Sequence, residues 1–216
     1  MESLYPFLYS DRTDLDAVLA QVRASTVAKA EEILALRQTI AARDGERLAE
    51  CASKAAARFA AGGRLFAFGN GGSATDAAQL ATLFLYPGSG NALPAFSLAN
   101  DTSVLTALCN DVGVDVVFAR QLAAFGTRND IAVGLSTSGN SDNLLRAFDE
   151  ASRRGMLTIG LAGYEGGKMA ELDSVDYLFV APSASVHRIQ EAQTTIYQVL
   201  WELIAEEVSR VSRHTG

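Results

Sequence analysis

Four hydroxyls fall within six residues at Ser136-Thr137-Ser138-Gly139-Asn140-Ser141. The run follows an apolar stretch, Ile131 to Leu135, and precedes a helical pattern in which Leu144, Leu145 and Phe148 share a face. A glycine-containing, hydroxyl-rich turn between a strand and a helix N-terminus suits a phosphate: free backbone N–H groups point at the anion and the helix dipole favours it. Asp142, in the first helical turn, competes for the same positive field unless it points outward. A second glycine-rich turn, Gly69-Asn70-Gly71-Gly72-Ser73, follows the apolar run Arg64 to Phe68. Its order fits neither a Walker loop nor a dinucleotide fingerprint. Asn70 suits sugar hydroxyls or a turn, and Ser73 suits the N-cap of the following helix.

Between these turns, Asn100, Asp101 and Ser103 are of a type to meet sugar hydroxyls, although helix capping alone explains Asp101 and Ser103. Toward the C-terminus, His187 opens a helix on which Gln190, Thr194 and Gln198 share a face, a glutamine stripe that points to a polar pocket. The other histidine, His214, lies in a tail and reads as solvated.

The elements that must carry these turns are legible from the apolar pattern. Residues 13–62 read as a helical hairpin, with Thr13 as N-cap, a break at Asp44-Gly45 and a glycine C-cap at Gly62-Gly63. From residue 64 the pattern alternates between strands (64–68, 94–98, 131–136, 157–162, 176–181) and helices (73–84, 103–110, 114–124, 142–154, 167–171, 188–210). Apolar strands separated by helices predict an α/β fold with a doubly wound five-stranded parallel sheet, whose ligands bind at the strand carboxyl ends. Tyr5, Phe7 and Tyr9 form an aromatic lead-in that suits packing on helices of the same or a neighbouring subunit.

The chain has 216 residues, a net charge of −7 and no basic stripe, which argues against direct nucleic-acid binding. No apolar run approaches a membrane span and no leader is visible. Cys51 and Cys109 lack metal-like spacing and read as buried free thiols of a cytoplasmic protein. The apolar faces of the N-terminal region and of the last helix (Ile196, Leu200, Trp201, Leu203, Ile204, Val208) exceed what one sheet face needs and predict a homo-oligomer.

Taken in order, Gly-Asn-Gly-Gly-Ser, Ser-Thr-Ser-Gly-Asn-Ser, Gly166-Gly167-Lys168-Met169 and Arg188-Ile189-Gln190-Glu191 resemble the phosphoheptose isomerase family within the sugar-isomerase (SIS) superfamily. The resemblance implies residues 1–62 as an oligomerisation hairpin and 63–216 as a SIS domain including the C-terminal helix. It also implies a homotetramer and a sugar phosphate ligand. Ser136, Thr137, Ser138 and Ser141 would hold the phosphate; Asn70, Gly71, Ser73, Asp101 and Gln190 would line the sugar.

Aldose–ketose isomerisation needs a base to move a proton between C1 and C2 and an acid or electrophile at the oxygens. The family supplies a glutamate and a histidine, with zinc in some members. At the corresponding positions this chain has Leu83 for the glutamate, Gln79 for a metal-binding histidine and Gln198 for the histidine of the final helix. His187 replaces an active-site aspartate. Amides and an aliphatic side chain neither exchange protons usefully nor make a good zinc site, so no metal or cofactor is expected. Three readings follow. The chain is a phosphosugar-binding protein that works as a sensor or through a protein partner, or an isomerase with relocated groups (His187, Glu191, Asp101 or Asp76), or an assembly module with a vestigial pocket.

Overall fold

The structure, a computed structural model, describes residues 15–88 and 90–214. The aromatic lead-in and the Thr13 cap lie outside them. Helix α1 covers Leu15–Ala60, followed by β1 (Leu65–Gly69), α2 (Gly72–Leu85), β2 (Ala95–Ser97), α3 (Thr102–Asp111), α4 (Val117–Phe125), β3 (Ile131–Leu135), α5 (Asp142–Arg153), β4 (Leu157–Gly163), β5 (Tyr177–Ala181) and α6 (Val186–His214). Short 3-10 turns precede α4 at Val114–Val116 and follow β4 at Gly167–Glu171.

The sheet is parallel throughout, in the order β2-β1-β3-β4-β5. Strands β1, β3 and β4 are buried along their whole length, which is why they read as unbroken apolar runs. On one face, Phe66 and Phe68 pack with Phe118 and Leu122 of α4 and with Leu144 and Phe148 of α5. The Phe68 ring centroid is 5.5 Å from that of Phe118 and 5.4 Å from that of Phe148. Gly134 lies under these rings, where a Cβ would meet Phe148 and Phe68. Helices α2 and α6 cover β1, β4 and β5. Asp130, at the foot of β3, is buried and receives hydrogen bonds from the Arg64 and Thr127 backbone N–H groups, the Arg64 guanidinium and the Thr127 hydroxyl.

The predicted hairpin is a single helix. Gly45 costs a helix interior only about 1 kcal/mol relative to Ala, and the flanking residues Ile40, Asp44, Leu48, Cys51 and Ala52 are buried along one side of α1. Asp44 breaks nothing because its carboxylate is held by Arg43. The glycine stop is as expected: Gly62 N–H bonds the Phe59 carbonyl and Gly63 N–H the Arg58 carbonyl. The described residues divide into two compact units, one ending at Ala35 and one beginning at Leu36, over residues 15–35 and 36–214. In the first, α1 exposes Leu15, Val18, Leu19 and Val22. Cys51 is buried, and burial pushes its thiol up to about 12. Cys109 differs from expectation: it is exposed, because α3 buries none of its residues.

Candidate functional site

Both turns lie at strand carboxyl ends. Gly69 of β1 pairs with Leu135 of β3, so the Gly-rich and serine turns emerge side by side. The sheet order reverses there, with β2 on one side of β1 and β3 on the other. Open α/β sheets bind ligands at such a switch point.

The serine turn folds partly on its own hydroxyls. Ser136 Oγ accepts from the Gly139 N–H at 3.0 Å and Ser138 Oγ from the Asn140 N–H at 3.2 Å. Gly139 has φ +68°, and a Cβ on it would strike the Gly166 carbonyl oxygen, so no other residue type fits. The Gly139 carbonyl accepts from Met169 N–H, and Asn140 Oδ1 from Lys168 N–H. The Gly-Gly-Lys-Met segment thus buttresses the turn. Ser141 precedes α5 without capping it, and the Thr137 hydroxyl likewise has no protein partner among the described residues. These two hydroxyls are free of protein partners among the described residues, while Ser136 and Ser138, which only accept, keep their O–H to donate; with the first N–H groups of α5 they are the donors available to an anion. Asp142 points outward, 3.7 Å from Lys168 Nζ.

Of the predicted sugar-site residues, Gln190 stands best. Its Nε2 lies against Gly72 and donates to Asp76 Oδ2 at 3.3 Å. Asn70 spends its amide on Asn143, with both cross bonds at 2.9 Å, and thereby ties the two turns together. Gly71, at φ +55°, is the residue before α2, and Ser73 is buried inside the helix rather than capping it. A Cβ at Gly72 would press on the Gln190 amide and displace it, and α2 begins at Gly72, one residue before the predicted start. Asp101 caps α3 by accepting from Val104 N–H at 3.0 Å, as capping alone predicts. His187 is exposed in the first turn of α6, and Glu191 pairs with Arg188.

Sequence reasoning missed Asn143, Gln193 and Tyr197. Gln193 is fully buried and donates to the Ser136 carbonyl at 2.9 Å, which fixes the start of the serine turn. Among the described residues its Oε1, and the Tyr197 hydroxyl one helical turn on, are buried without a hydrogen-bond partner. Burial raises the Asp76 pKa, opposed in part by the Gln190 hydrogen bond. Burial also raises that of Tyr197, assisted by the Asp76 charge.

Gln79 and Gln198 are exposed and Leu83 is half-buried. Two amides and an aliphatic chain do not fit a zinc ion. Among the described residues no group of three His, Cys, Asp or Glu side chains is placed to hold a metal. Among the described residues no helix is long and apolar enough to cross a membrane.

The SIS domain model matches residues 30–163. The phosphoheptose isomerase of Desulfovibrio desulfuricans is 45% identical over 170 residues, which are 78% of this chain and 80% of that one. That of Helicobacter pylori strain HPAG1 is 45% identical over 144 residues, 66% of this chain and 74% of that one. This chain is a member of the phosphoheptose isomerase family of SIS-domain proteins. The phosphoheptose isomerase GmhA of Neisseria gonorrhoeae superposes with a TM-score of 0.78 at 34% identity, covering 85% of this chain and 98% of that one. The Francisella tularensis enzyme gives 0.75 at 29% identity, covering 90% and 100%. The family fold, a five-stranded parallel sheet between helices behind a long N-terminal helix, is therefore the fold of this chain.

Proposed function

We propose that this family member binds a sugar phosphate through Ser136, Thr137, Ser138 and Ser141, with Gln190 and the Gly-rich turn on the sugar side, and does not carry out the family's usual isomerisation. One observation carries the reading: the hydroxyl cradle is complete while Gln79, Leu83 and Gln198 offer no proton-transfer group. Such a protein acts as a sugar-phosphate sensor, or presents its bound state to a protein partner. The N-terminal helix and α6 make it a homo-oligomer, a tetramer by family resemblance. Ile40, Leu48, Ile196 and Val199 line an apolar groove of about 170 Å³ between α1 and α6, which supports association. The unpaired cysteines suit a reducing, cytoplasmic setting.

A specific observation supports a second reading. Asp76 is half-buried, touches Gln190 and has its pKa raised by burial, against the hydrogen bond from Gln190. With relatives named phosphoheptose isomerase, this makes Asp76 the first candidate for a relocated base; His187 and Glu191 face solvent or an arginine.

A thermal-shift panel tests the main reading. Sugar phosphates raise the melting temperature because they bind only the folded state, and the equivalent unphosphorylated sugars fall short of them. A panel without any shift leaves the assembly-module reading instead.

A further inference from the structure

A cavity of about 650 Å³ opens beside the serine turn, at the carboxyl ends of β3, β4 and β5. Ser138, Asn140, Tyr164, Glu165, Pro182 and Ser183 are among its lining residues, whereas the Gly-rich turn does not reach it. Its volume falls in the roughly 300–1,000 Å³ range of small-molecule sites.

The turn that forms one wall is fixed from behind. Gly166 N–H bonds the Gly163 carbonyl at 2.9 Å, Lys168 N–H bonds Asn140 Oδ1 at 2.9 Å, and Gly167 packs so closely on Ser138 that a Cβ would strike its carbonyl oxygen. On this frame Tyr164 sits at φ +51°, the one non-glycine residue in the left-handed region among the described residues. A bulky side chain is disfavoured there, and glycine or asparagine would take the conformation with less strain. Core packing does not account for the tyrosine, because it remains 41% exposed. What it gains by its place is an aromatic face over the cavity. Glu165 adds a carboxylate with no ion-pair partner among the described residues, and Ser138, Asn140 and Ser183 add neutral hydrogen-bonding groups.

The lining residues carry one negative charge and no positive one; the nearby Lys168 faces Asp142. A second phosphate or carboxylate is therefore disfavoured. Neutral hydroxyls donate well to a carboxylate, and the C–H face of a sugar ring packs on an aromatic ring.

We infer that this cavity is a second carbohydrate subsite, in which a hydroxylated ring packs on Tyr164 and donates hydrogen bonds to Glu165. The ring belongs either to the phosphorylated ligand or to a separate neutral sugar; in the first case the inference rests on the proposed phosphate site. Either way its occupant touches Ser138 and Asn140, so binding there is coupled to the serine turn.

The test titrates the full-length protein with sedoheptulose 7-phosphate, inorganic phosphate and glucose, in wild type, Tyr164→Gly and Glu165→Gln. Glycine retains the left-handed backbone, and Glu165→Gln reads the same subsite without touching it. The expected result is that Tyr164→Gly weakens sedoheptulose 7-phosphate or glucose by about tenfold with inorganic phosphate unchanged, a loss of about one decade in Kd. Loss for the sugar phosphate assigns the ring to the phosphorylated ligand; loss for glucose assigns a separate sugar. Affinities within about twofold of wild type in both variants overturn the subsite and leave the phosphate reading standing. If wild type binds neither phosphate compound, the phosphate reading falls, and the response of glucose binding to Tyr164→Gly alone decides the subsite. Binding of none of the three overturns both.

Discussion

Asn70 and Asn143 exchange two hydrogen bonds, each 2.9 Å long, across the carboxyl ends of β1 and β3. The pair makes one site of two turns that are 66 residues apart in sequence when counted from Asn70 to Ser136. Asn143 is buried, so Asn143→Ala leaves Asn70 without its partner and costs about 1–2 kcal/mol of stability. Sugar phosphate affinity falls with it. Chemical denaturation and a binding titration check both effects, and a double-mutant cycle with Asn70→Ala shows a coupling well above zero.

The hydroxyls of the serine turn separate into two kinds. Ser136 Oγ holds the Gly139 N–H and is buried, so Ser136→Ala destabilises the fold by about 1 kcal/mol or more. Ser141 caps nothing, and Thr137 has no protein partner among the described residues. Ser141→Ala and Thr137→Val therefore change stability by less than about 0.5 kcal/mol while weakening sugar phosphate binding. Melting curves with and without ligand distinguish the two kinds.

Asp130 governs stability in acid. Burial by itself would raise its pKa, but hydrogen bonds from Arg64 and Thr127 outweigh that and hold it below the ordinary carboxylate range. A depressed folded-state pKa gives stability that is complete above the unfolded value and is lost as pH falls through the folded one. Asp130→Asn lowers stability at neutral pH by about 2–3 kcal/mol and flattens the loss below the usual aspartate range. Denaturation midpoints measured from neutral pH into acid show both effects.

Asp76 has the opposite sign. Its raised pKa means that the folded protein binds the proton more tightly than the unfolded chain does. That contribution favours the fold below the ordinary aspartate value and is lost as pH rises through the folded value. Asp76→Asn is thus neutral or stabilising near pH 7, and it abolishes turnover if Asp76 is a relocated base. Melting temperature and isomerase assay, run on the same preparation, separate these consequences.

The sheet was legible because β1, β3 and β4 are buried on both faces and carry no alternation, and because glycine and hydroxyl runs mark where they end. The hairpin was misread because a glycine inside a helix is a weak breaker, while the burial of Asp44 and Leu48 depends on tertiary contacts. Asn143 and Gln193 belong to no motif and are passed over by a reading that starts from glycine and hydroxyl runs. Each lies on the buried stripe of its helix, Asn143 with Ala147 and Ala151, and Gln193 with Ile189 and Ile196. A polar residue within an apolar stripe was the available signal. The stripe of Gln190, Thr194 and Gln198 marks the right helix but carries only one residue of the candidate site, since Gln198 is exposed.

Binding without the family's proton transfer is read by proton NMR of sedoheptulose 7-phosphate incubated with the purified protein in deuterated water. The expected result is saturation transfer from protein to ligand, with no deuterium uptake at C1 and no aldose formed. Deuterium at C1 together with aldose 7-phosphate would contradict it, as would an absence of saturation transfer.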